Sequence, residues 1–93
     1  MVDKLVYAIR LKDPLPCTQH EEGKTSLVYG DWLLYCDYRV PFVTTKANSA
    51  IHFDSFEAAE ECLQRNELNG EIWCREKGQV KDEDWHQCTS VIK

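Results

Sequence analysis

Four metal-ligating side chains fall into two short pairs, Cys17-x-x-His20 and His86-x-Cys88. Two thiolates and two imidazoles would complete a tetrahedral zinc site if the pairs met in space. The first spacing suits a metal knuckle, and the second would direct both side chains to one side of a strand. A zinc-stapled binding module using Cys17, His20, His86 and Cys88 is therefore one reading, and four unrelated residues the plainer one. The other cysteines, Cys36, Cys62 and Cys74, fall on expected strand and helix faces, where a reduced cysteine behaves as a small hydrophobe. A thiol nucleophile needs a neighbouring base and a lowered pKa. His52 is the base the sequence offers, so a Cys-dependent enzyme or small-ligand binder at a cleft around Cys36 and His52 is a third reading. The chain contains no G-x-G-x-x-G, P-loop or H-E-x-x-H pattern, and no cofactor is expected from it.

Carboxylates cluster at Glu57, Glu60 and Glu61 and again at Asp82-Glu83-Asp84. Carboxylates on a solvated helix exterior, with no apolar pocket around them, are not expected to serve acid–base catalysis. The expected use is a partner-facing acidic surface. Trp32, Tyr35, Tyr38, Phe42, Trp73 and Trp85 form the remaining signal. Some must fill the core. Alternation over Ile72-Trp73-Cys74-Arg75 places Trp73 and Arg75 together, opposite Ile72 and Cys74. An exposed tryptophan beside an arginine is enriched at protein interfaces.

A length of 93 residues and a hydrophobic content of 43% suit one folded domain spanning 1–93. The N-terminal residues lack the basic segment and apolar run of a secretory signal, and no apolar stretch approaches the ~20 residues of a membrane span. The expectation is a cytoplasmic protein that does not enter a membrane, with its five cysteines reduced. The net charge of −5 is unevenly placed: residues 1–46 balance six acidic against six basic side chains, whereas residues 47–93 carry ten and five. Direct nucleic-acid binding needs clustered Lys and Arg, so it is not expected. A basic protein partner is compatible with this charge.

The elements that must position these residues follow from periodicity. Leu5, Tyr7, Ile9 and Leu11 alternate with Val6, Ala8 and Arg10, which predicts a first strand. Residues 12–27, with Pro14, Pro16 and Gly23, show no period and are expected to form a long loop. Gly30-Asp31 is expected either to turn a hairpin between Leu27–Tyr29 and Trp32–Cys36 or simply to precede a single strand. Val40–Val43, with Pro41, suits an edge strand, and Ala50–Phe53 is another short strand candidate. A helix is predicted over about 55–66, capped by Asp54 with Glu57 at capping-box spacing and Phe53 as a staple on Ala58, or by Ser55 one residue later. Phe56, Ala59 and Leu63 share its apolar face, with Cys62 beside it. Glu61 and Arg65 are spaced for an ion pair. Asn66 to Gly70 ends the helix, with Asn69-Gly70 as the turn; Glu71–Arg75 is a strand, Lys81–Asp84 is a helical turn or loop, and Thr89–Ile92 closes the sheet or trails off. The fold class is thus α+β: an antiparallel sheet of about four to five strands with one main helix packed on one face.

Phe53, Ser55, Glu57, Ala58, Ala59 and the strand Ile72-Trp73-Cys74 resemble a recurring module of small phage and prophage proteins, in which an aromatic residue, a Ser cap, a Glu-Ala helix and a return strand follow a hairpin. The resemblance covers about a quarter of the chain and implies no catalytic residues. It implies a mobile-element origin, where small acidic proteins bind and block host proteins. The primary reading is accordingly a small acidic, non-enzymatic interaction domain, with Glu57, Glu60, Glu61, Trp73, Arg75, Asp82, Glu83 and Asp84 as its contact residues. Its partner is another protein with a basic surface, and a homodimer stays open as an assembly.

Overall fold

A computed structural model describes residues 5–79 and 81–88. Thr89–Ile92, expected to close the sheet or trail off, lie outside the described residues. The fold is α+β. Strands β1 (Leu5–Glu21), β2 (Lys24–Asp37) and β3 (Val40–Thr44) form a meander; helix α1 (Phe56–Arg65) follows, then β4 (Gly70–Glu76) and β5 (His86–Gln87). Together they make one five-stranded antiparallel sheet in the order β3-β2-β1-β4-β5. No helix among the described residues is long and apolar enough to cross a membrane.

The segment expected to be a loop at 12–27 is instead most of a long hairpin. β1 pairs with β4 only as far as Leu11↔Gly70, so among the described residues one side of β1 has no partner strand from Lys12 onward. A residue without an N–H is tolerated on such an open side. A register irregularity lies between Arg10↔Trp32 and Leu15↔Gly30. It takes up Pro14 and bends the strand, and Pro16 then pairs with Tyr29. The tip is Glu22-Gly23, with φ of 49° and 77°, the left-handed pair that suits a two-residue hairpin turn.

Gly30 is therefore not a turn residue, and β2 runs straight through Gly30-Asp31. Its lack of a side chain serves close packing. A Cβ there would sit 2.7 Å from both the carbonyl carbon and oxygen of Thr44 and 3.1 Å from the Thr45 nitrogen. These are backbone atoms and cannot rotate away. Gly30→Ala should lower stability by about 1–3 kcal/mol through forced separation of β2 from the end of β3. A urea melt checks this, and an unchanged midpoint would contradict the close approach.

Helix α1 begins one residue later than its first candidate cap allows. Ser55 is the N-cap: its backbone is extended (φ −145°, ψ 158°), and its Oγ accepts the Ala58 N–H at 3.1 Å. Asp54 is thereby displaced to N′, Glu57 to N2, and neither the capping box nor the Phe53 staple has its required spacing. Glu67, at φ 56°, takes the left-handed position after the helix, and the Leu68 N–H closes on the Leu63 carbonyl at 2.9 Å, as in a Schellman termination. Arg65 donates to Glu61 at 2.6 Å, the expected pair. Ala50–Phe53 is not a strand. It crosses from one strand to another, with Ile51 N–H donating to the Leu33 carbonyl at 3.0 Å and Phe53 bridging Tyr7.

The sheet carries a core on each face. One contains Ile9, Leu11, Leu33, Val43, Ala59 and Ile72, with Phe56 and Leu63 of α1 packed against it. Among the described residues the opposite face has no long helix. It is covered by the 3-10 turn Ala47–Ser49 and by Trp85, which with Ala8, Trp32 and Ala50 form a second buried cluster flanked by Val6 and Trp73.

Candidate functional site

The zinc ligands proposed from spacing do not converge. Cys17 and His20 lie on the distal half of β1, paired with Val28 and Thr25 of β2, and their odd and even positions point to opposite faces. His86 and the Cys88 backbone lie beside β4, at Cys74 and Ile72. Among the described residues no group of three or more His, Cys, Asp or Glu side chains is arranged to hold a metal ion.

Cys36 and His52 also lie apart. His52 packs on Trp85 at 5.4 Å, in the cluster on the sheet face away from α1, whereas Cys36 is close enough to Cys62 of α1 to influence its titration. The structure makes a different thiol–imidazole pair, Cys74 Sγ with His86 Nε2 at 3.5 Å across β4 and β5. Two residues separated by a loop gave no local signal for it. Burial, and then the adjacent Cys88 thiol, push the Cys74 pKa up to about 11. Cys62 is likewise raised, chiefly by burial. Both thiols are protonated at neutral pH, which makes them poor nucleophiles.

Trp73 and Arg75 do share the face opposite Ile72 and Cys74, but neither is a free anchor. Trp73 is half-buried, edge-on to Trp32 at 5.5 Å, and its indole N–H donates to Glu71 at 3.2 Å. The Arg10 guanidinium lies 4.8 Å from the Trp73 ring and 5.3 Å from Trp32, held by Asp31 at 2.7 Å. Arg75 is buried, 5.0 Å from the Trp85 ring, and donates to the carbonyls of Glu76 and Lys77. An arginine with its charge spent on carbonyls and an indole face serves the fold. Of the acidic candidates, Glu57, Glu60 and Glu61 are exposed on α1 and Glu83 is exposed on the turn Asp82–Asp84. Asp84 accepts the Lys81 N–H at 3.0 Å. The side chain of Asp82 lies outside the described residues.

Most of the exposed large apolar side chains among the described residues lie elsewhere, on β2, β3 and the turn between them. Tyr35 and Phe42 are cross-strand partners, stacked at 4.6 Å with an interplanar angle of 11°. The distal half of β1, at Pro16 and Thr18, lies near them. A groove of about 430 Å³ opens there, lined by Pro16, Thr18, Leu34, Tyr35 and Phe42. Directly paired residues share a face, so Tyr29, opposite Pro16, and Leu27, opposite Thr18, extend this surface along the hairpin. Val40, two residues from Phe42, extends it toward the turn. Exposures are 71% for Leu27, 66% for Tyr29, 48% for Tyr35, 94% for Tyr38, 54% for Val40 and 41% for Phe42. The turn is unusual in that both Tyr38 and Arg39 are left-handed, at φ 52° and 69°, although neither is glycine. That conformation costs roughly 1–2 kcal/mol per residue, and here it holds a bare tyrosine out in water. Sequence reasoning counted these aromatics without locating them as a surface. Only the pairing of the unperiodic segment 12–27 brings the two sides of the groove together.

Compared with protein-family models, curated proteins and solved structures, the chain matches none.

Proposed function

We propose that this protein is a non-enzymatic interaction domain that works by binding protein, with the Tyr35–Phe42 groove as its apolar docking surface and the acidic half of the chain as its steering surface. The observation that carries this reading is the set of exposed apolar side chains at Leu27, Tyr29, Leu34, Tyr35, Tyr38, Val40 and Phe42, with a stacked aromatic pair among them. Contiguous apolar surface of this kind is uncommon on a domain that acts alone, and rigid aromatic side chains are the usual anchors of interfaces. Glu57, Glu60, Glu61 and Glu83 are exposed, and their charge would accelerate encounter with a basic partner. The likeness of residues 50–73 to small phage proteins is the reason to place that partner in a host cell and to read the consequence of binding as inhibition.

The test compares proteins retained from a host lysate by the immobilised wild type, by Phe42→Arg, and by the triple variant Glu57→Lys, Glu60→Lys, Glu61→Lys. Loss of specific retention in Phe42→Arg, with the folded state intact by circular dichroism, is expected. Charge reversal on α1, or raised salt, should slow association. Unchanged retention by both variants would refute the docking reading.

A further inference from the structure

We infer that the groove between the β1–β2 hairpin and β3 is filled by a second copy of this chain, giving a two-fold dimer packed face to face at Tyr35 and Phe42. The inference rests on the reading of this groove as a docking surface and names its occupant. Area is the first argument. An aromatic side chain buries ~150–250 Å², so Tyr29, Tyr35, Tyr38 and Phe42 at their exposures present on the order of 500 Å². Leu27, Leu34 and Val40, also exposed, bring the surface toward the ~800 Å² per partner of a stable interface.

Charge is the second. A chain of net charge −5 repels its own copies, but the excess lies wholly in residues 47–93, and residues 1–46 sum to zero. Every exposed apolar residue of the strip lies in the neutral half. Two copies meeting through this face bring together surface in which exposed acidic and basic side chains, such as Asp37 and Arg39, balance. An interface of this symmetry needs a self-complementary patch, and apolar rings on apolar rings meet that requirement. The contact is by side chains and not by joining of sheets, because Pro41, the second residue of edge strand β3, interrupts its row of donors. The acidic side chains of α1 are then left outward on both copies, available to a basic partner.

The experiment is sedimentation of the full chain over a range of concentrations, at low and high salt, for the wild type, Phe42→Arg, and Leu27→Glu. Leu27 is mostly exposed, so its substitution leaves the core untouched. The expected result is a monomer–dimer equilibrium that both variants weaken by at least about tenfold. Added salt should leave the dimer unchanged or tighten it, as screening removes self-repulsion. A wild type that stays monomeric at concentrations on the order of 1 mM overturns the second-copy assignment, being weaker than ~−4 kcal/mol of association. So does a dimer insensitive to both variants. If the chain is monomeric and Phe42→Arg still abolishes capture of another protein, the docking reading stands with a different occupant. If capture is also unaffected, both fail.

Discussion

Truncation of Trp32 to alanine is expected to lower the stability of this domain by about 3–5 kcal/mol, the range for a buried aromatic replaced by alanine. Trp32 is 8% exposed and occupies the centre of the core on the sheet face away from α1. It packs on Trp73 at 5.5 Å and Trp85 at 5.7 Å, and Arg10 stacks on it at 5.3 Å. Its other neighbours, Ala8, Ala47 and Ala50, are too small to collapse into the space it would leave. The substitution also removes one of the two indole faces on which the Arg10 charge rests. Domains of this size have only about 5–15 kcal/mol in total, so the loss should appear as a fall of roughly 15 °C or more in the melting temperature. Trp32→Phe should recover a good part of it. A shift of a few degrees in Trp32→Ala would mean that this second core contributes little.

The neighbouring substitution Leu33→Ala is expected to cost about 2–5 kcal/mol, but through the other face. Leu33 is fully buried, pairs with Val43 on β3, and faces Ile9, Ala59 and Ile72 in the core beneath α1. Its carbonyl accepts the Ile51 N–H at 3.0 Å, so the strand cannot shift inward to fill the cavity without giving up that bond. Consecutive strand residues point to opposite sides, which is why positions 32 and 33 each hold a different core. Both cores share one sheet, and loss of either should unfold the whole. Far-ultraviolet dichroism and tryptophan fluorescence should therefore report the same urea midpoint in each variant. Non-coincident transitions would show that the two faces unfold separately.

Local patterning carried a good part of this fold. Alternation over Leu5–Leu11, the apolar spacing of Phe56, Ala59 and Leu63, the Ser55 alternative as cap, the Glu61–Arg65 pair and the return strand around Ile72 each depend on residues within a few positions of one another. Pro41 was legible as a mark of an edge strand for the same reason. The errors have equally specific causes. Pro14 and Pro16 suppressed a strand reading where a register irregularity and an unpaired flank make proline acceptable. Gly23 and Gly30 both look like turn residues, and only the 2.7 Å approach of Thr44 reveals that Gly30 answers a packing demand. Arg75 was expected on the surface because charged residues rarely leave it, yet two carbonyls and an indole face accommodate it below the surface.

Of the residues that could do chemistry, the sequence alone identified the types and little of their arrangement. Cys17 and His20 share a short spacing, but a β-strand sends them to opposite faces, and His86 and Cys88 belong to another edge of the sheet. Composition and local order determined an α+β domain with one capped helix and an acidic second half, because those properties depend on near neighbours and on counting. The tertiary structure alone decided that Cys74 meets His86, that Trp32, Trp73 and Trp85 form one cluster, and that Tyr35 and Phe42 border a groove with Pro16 and Thr18. Each of those meetings joins separate strands or loops, and long-range strand pairing and register, not local preference, place them side by side.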